Sequence, residues 1–113
     1  EARKRLPQSS SLAEVVVTVL AILSESDSQG AQQIPQAGST KLILDCMRDN
    51  LHIPGVQQHG CAALANYART SADVRAEIQT GAGLSAIILA LRRHEREEGV
   101  LEEGCRALAC MAR

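Results

Sequence analysis

Aromatic side chains are almost missing from this chain: Tyr67 is the only one, and neither Phe nor Trp occurs. A core must therefore come from Leu, Ile, Val and Ala. That suits helices packed at close range better than a β-sandwich, whose strands favour β-branched and aromatic residues. An excess of one charge is missing too. Twelve Lys and Arg stand against 13 Asp and Glu, a formal net charge of −1, which argues against nucleic acid as a partner. No apolar run approaches the ~20 residues that span a membrane, so no membrane partner is expected, and no signal peptide is visible. The chain does not start with Met and is expected to be part of a longer protein.

What the chain does have is repetition. The stretch 56–69, VQQHGCAALANYAR, recurs at 100–113 as VLEEGCRALACMAR. Val, Gly, Cys, Ala, Leu, Ala, Ala and Arg match at an offset of 44, eight positions in fourteen without a gap. A fainter copy lies 44 residues earlier, with Leu12 under Val56 and Leu20-Ala21 under Leu64-Ala65. A fixed period of this size is the mark of a helical solenoid. The organisation expected is a polar lead at 1–11, one unit at 12–55, a second at 56–99 and a last long helix at 100–113.

Taken in order, the lead carries the basic knot Arg3-Lys4-Arg5, expected to be solvated. Leu12 to Ser24 reads as a helix that is apolar nearly all round, and such a helix is expected to be buried on several sides. Its four Val oppose helix propensity, so packing must override it. Gly30 and Pro35 should break the short helix that follows. Ser39 to Arg48 reads as a medium helix, with Leu84 to Arg93 as its counterpart. Thr70 to Ile78 reads as a short helix with a capping-box-like start from Thr70 to Asp73. Within Val56 to Arg69 the core stripe is Val56, Gly60, Ala63, Leu64 and Tyr67, joined by Cys61 and Ala68. The opposite stripe is Gln58, Ala62 and Asn66, with Arg69 just beyond. A mid-helix Gly costs about 1 kcal/mol against Ala. Gly60 and Gly104, at one repeat position, therefore suggest a neighbouring helix too close for a methyl group.

Spacing, small residues and helix lengths together resemble the armadillo-repeat family, over residues 12–113. Its units have a short, a medium and a long helix, and Val56 to Ala68 is similar to the long third helix. HEAT repeats, built from two longer helices, are the near alternative. The resemblance implies a right-handed superhelix whose third helices line a concave groove for a protein or an extended peptide. In importin-alpha-like members an Asn on each third helix holds the peptide backbone and a Trp one turn earlier stacks on it. Asn66 matches that Asn, while Ile22 and Cys110 hold its other two positions. The Trp positions are Thr18, Ala62 and Arg106. The implied partner-binding face is Gln58, Ala62, Asn66 and Arg69, continued by Glu102 and Arg106 and preceded by Glu14, Thr18 and Ile22.

No phosphate loop, nucleophile elbow or paired-carboxylate motif is present, so neither enzymatic activity nor a cofactor is expected. His59 and Cys61 would point about 200° apart on a helix, so no metal site is expected. Cys61 and Cys105 share one repeat position on the stripe expected to be buried. All four cysteines read as reduced thiols of an intracellular protein, cytoplasmic or nuclear. The charged run from His94 to Glu98, preceded by Arg92 and Arg93 and followed by Glu102 and Glu103, reads as a solvated turn that helps start the last helix, the alternative being an acidic rim for a basic partner. The function expected is a non-enzymatic protein-interaction scaffold. The alternative is a structural spacer or self-association element of a larger protein. Leu108 and Met111 are expected to be poorly covered, which favours self-association through the solenoid ends.

Overall fold

The computed structural model describes residues 10–26, 36–80 and 82–112, and these form helices joined by short turns, without a strand. The helices are α1 (Ser10–Ser26), α2 (Gln36–Asp49), α3 (Pro54–Thr70), α4 (Ala72–Thr80), α5 (Gly83–Arg93) and α6 (Glu98–Met111). The basic knot at 3–5, the expected break around Gly30 and Pro35, and Gly81 lie outside the described residues.

Local chemistry sets the helix ends. Asn50 closes α2, its backbone N–H and its Nδ2 both donating to Cys46 O, at 3.1 and 2.9 Å. Ile53 then turns extended and Pro54 opens α3, where its missing N–H is no loss. The cap of α4 is Ser71 rather than Thr70: Ser71 Oγ accepts the Val74 N–H at 3.2 Å. Helix α4 in turn serves the carboxyl ends of both long helices behind it. Arg75 Nη1 donates to Ala68 O at 2.9 Å, and Gln79 Nε2 donates to Met111 O. The last carbonyls of a helix lack intrahelical donors, so such contacts hold the ends in place. Glu98 sits in the first turn of α6, where the helix dipole favours an acid.

Helix α3 is the centre of the molecule. Its most extensive packing is against α6 on one side and α1 on the other, and every residue from Gly60 to Ala68 is buried. The expected stripe of Val56, Gly60, Cys61, Ala63, Leu64, Tyr67 and Ala68 is therefore in the core. Tyr67, the one aromatic, is 1% exposed. Burying a side chain the size of Leu64 stabilises by roughly 1.5–3 kcal/mol, and the Ala and Gly beside it let helices close in from two directions.

Two close approaches recur at the 44-residue offset. A methyl at Gly60 would land 2.7 Å from Met47 Cγ, and one at Gly104 would land 2.5 Å from Leu91 Cδ2. Met47 and Leu91 are themselves 44 apart. What excludes the methyl is thus a side chain of the medium helix, not the backbone of a neighbouring helix. A methyl at Gly55 would meet the Glu14 carboxyl carbon at 2.7 Å, and one at Gly99 would meet Gln58 Cδ at 2.5 Å. Glu14 and Gln58 are again 44 apart, each lying on the first turn of the next long helix.

Two expectations about burial change. Helix α1 is not buried on several sides: Val17 and Ala21 face the core, while Leu12, Val15, Val19, Ile22 and Leu23 are exposed. Only α2 and α3 pack substantially against it among the described helices. His94 is not a solvated turn residue. It is 8% exposed, and its Nε2 lies 2.7 Å from Leu51 O. A carbonyl only accepts, so the proton is on Nε2.

Candidate groove on the long helices

The carried-over face runs along α1, α3 and α6, and its members differ in access. Gln58 is half-buried and covers the start of α6 at Gly99. Ala62 and Asn66 are buried, at 6% and 1% exposure. Arg69 and Glu102 are exposed, and Arg106 is half-buried. On the flanks, Glu14 and Thr18 are half-buried, Ile22 is exposed and Cys110 is buried.

Three of these residues are brought together. Arg106 Nη1 reaches from α6 to α3 and donates to Asn66 Oδ1 at 3.0 Å. Arg69 Nη2 donates to the same oxygen at 3.4 Å. Glu103, which the sequence did not single out, holds Arg106 from behind. Its Oε1 lies 2.8 Å from Nη2 and 3.0 Å from Nε. An Asn presented for an extended peptide would leave its amide open on the surface. Here the amide oxygen is buried beneath two guanidinium groups. The signal was available: Glu103 is three residues before Arg106 on the same helix, within ion-pair reach.

Gln57 was also missed. It is fully buried, and its Nε2 donates to Met47 O at 3.0 Å and Asn50 O at 2.9 Å, closing the carboxyl end of α2. Its Oε1 has no hydrogen-bond partner among the described residues. Gln57 also lines an apolar cleft of about 170 Å³ between α2 and α5, with Leu44, Met47, Leu51, Ala86 and Leu89.

The thiols divide by position. All four are free. Burial, with the Glu103 carboxylate as a lesser cause, pushes Cys61 up to about 12. Burial and then Asp45 and Asp49 raise Cys46 as well. A thiol so raised stays protonated and is a poor nucleophile. Cys105, expected to be buried like Cys61, is exposed: none of the described helices covers α6 as α6 covers α3. His59 is half-buried beside the fully buried Cys61, and no three His, Cys, Asp or Glu side chains converge among the described residues. Among those residues, no single helix is long and apolar enough to cross a membrane.

No family model, no curated protein and no solved structure matches this chain, so what it does must be read from its own residues and their arrangement.

Proposed function

We propose that this chain is a segment of an armadillo-type α-solenoid and acts as a non-enzymatic protein-interaction module. The observation that carries the reading is the recurrence of packing at the sequence period. Glu14 on Gly55 is repeated by Gln58 on Gly99, and Met47 on Gly60 by Leu91 on Gly104. A chain that reuses one contact set at a fixed offset stacks units in a row, and stacked units offer extended faces for other chains. The four free thiols fit a reducing, intracellular compartment.

The groove presents Arg69, Glu102 and Arg106 to a partner. Asn66 acts beneath them by orienting the two guanidinium groups. An extended peptide is held by those side chains, with the Asn66 amide reached only when Arg106 swings aside. The test is selection of binding peptides from a random library, with the hits retested on Arg69→Ala, Arg106→Ala and Asn66→Ala. Loss of tenfold or more in affinity on an Arg variant, about 1.4 kcal/mol, supports the groove. Hits indifferent to all three variants, or no hits at all, count against it and favour the spacer or self-association role.

A further inference from the structure

Arg69 and Arg106 come from different long helices, yet both donate to Asn66 Oδ1, at 3.4 and 3.0 Å. Asn66 is 1% exposed, so it is a fixed post rather than a mobile surface amide. Glu103 grips Arg106 a second time, its Oε1 2.8 Å from Nη2 and 3.0 Å from Nε. A guanidinium carries five N–H donors and no acceptor. Arg106 commits its Nε hydrogen to Glu103, one Nη2 hydrogen to Glu103 and one Nη1 hydrogen to Asn66. One hydrogen on each Nη is left over among the described residues. Arg69 commits one donor to Asn66 and pairs with no carboxylate among the described residues.

Both groups remain open to solvent: Arg69 is exposed, and the Arg106 side chain is 38% exposed. The cluster of Arg69, Arg106 and Glu103 therefore carries one positive charge in excess and offers donors to whatever lies above it. The opposing charge nearby is Glu102, one turn before Arg106 on α6. It is exposed and pairs with neither arginine among the described residues.

We infer that the Arg69–Arg106 pair binds the carboxylate of one Asp or Glu side chain in the peptide, so that the groove selects acidic sequences. The inference rests on the groove reading above and gives it a specificity. A carboxylate is an acceptor only, with two oxygens, and it takes charge-assisted hydrogen bonds from two guanidinium groups at once. Asn66 and Glu103 hold the two donors near each other beforehand, so little freedom is lost when the anion arrives. One excess positive charge suits a monoanion better than a phosphate group, which carries close to two negative charges. Arg106 stays on Asn66 throughout, and Asn66 acts as a positioning residue.

The test is selection from the random-peptide library on wild type and, in parallel, on Arg69→Glu. Wild-type hits are expected to share an Asp or Glu at one position. Replacing that residue by its amide should cost about tenfold in affinity, and the cost should shrink on Arg69→Ala. Peptides selected on Arg69→Glu should carry Lys or Arg there instead. Glu102→Gln should tighten the wild-type hits at low salt, where exposed charges are least screened. Phosphoserine at the shared position should bind no tighter than Glu. Arg69 has a single hydrogen bond in the cluster, so its variants should keep the fold, as circular dichroism will check. Hits that lose affinity on Asn66→Ala or Arg106→Ala but share no acidic position leave the groove standing and overturn the inference. So does an acidic position whose amide replacement costs the same on wild type and on both Arg69→Ala and Arg106→Ala, because the acid is then read elsewhere. Phosphoserine bound tenfold tighter than Glu overturns the choice of a carboxylate. No hits, or hits indifferent to all three groove variants, remove the groove and the inference together.

Discussion

Replacing Gln57 by Leu, the residue that stands one period later at Leu101, should destabilise the chain by about 2 kcal/mol. Gln57 is fully buried and gives both its amide hydrogens to carbonyls at the end of α2. Leu keeps most of the volume, so a cavity contributes little. Met47 O would lose the side-chain donor that closes it. A buried carbonyl left in that state costs roughly 2 kcal/mol. Asn50 O also accepts the Ile53 N–H at 3.0 Å, so losing its second donor costs nearer ~1 kcal/mol. Against this, Oε1 is buried without a donor, and removing it returns ~1 kcal/mol. The sum is a fall of about 8 °C in Tm for a chain of this size, followed by circular dichroism with urea melts as a second measure. Gln57→Glu gives the converse check. Its carboxylate would face the carbonyls with acceptors only, and burial would raise its pKa above the usual ~4.3. The variant should approach wild type in acid and lose stability as pH rises through that raised value. Gln57→Leu as stable as wild type would refute the claim that this side chain holds the end of α2.

Three further outcomes are expected. Cys61 is raised from 9.0 to about 12, so the folded chain keeps a proton that the unfolded chain releases. Its contribution to stability is whole below pH 9 and is lost as pH rises toward 12. Cys61→Ala should flatten the alkaline fall of the urea midpoint, and parallel curves would contradict this. Gly104→Ala should destabilise by about 1 kcal/mol, since overpacking against Leu91 of roughly 2 kcal/mol exceeds the helix gain of about 1 kcal/mol. Leu91→Val should recover part of that loss, and a stabilised Gly104→Ala would show that Leu91 moves aside freely. A double-mutant cycle of Asn66→Ala with Arg106→Ala should give a coupling of about 1 kcal/mol, a charge-assisted hydrogen bond discounted for an Arg106 side chain that is 38% exposed. A coupling near zero would mean that Arg106 is held by Glu103 alone.

Much of the local structure was legible from residues alone. The helix α3 expected over 56–69 spans Pro54–Thr70, and that expected over 84–93 spans Gly83–Arg93. Proline, Asn50 and the apolar period mark these ends through chemistry that acts within a few residues. The site was less legible. Asn66 could be placed on the face opposite the core stripe, but it is 1% exposed and its amide oxygen accepts from Arg106, 40 residues away. Leu108 and Met111 were expected to be uncovered, yet Met111 is 5% exposed and Leu108 half-buried. The exposed small residues of α6 are Cys105 and Ala109, on a face that none of the described helices covers.

The sequence by itself determined that the chain is helical, where its apolar stripes lie and which positions recur at 44. Those depend on backbone propensity and on the angle between neighbouring residues of one helix. Only the tertiary structure decided which stripes are covered. Gly60 and Gly104, Cys61 and Cys105, Val19 and Ala63 are pairs of equivalent residues. The glycines meet equivalent neighbours and are both buried, whereas Cys105 and Val19 are open where Cys61 and Ala63 are closed. A side chain's direction is set by its own helix. Its burial is set by whatever helix comes to lie beside it, and among the described long helices α3 has one on either side while α1 and α6 each have α3 alone.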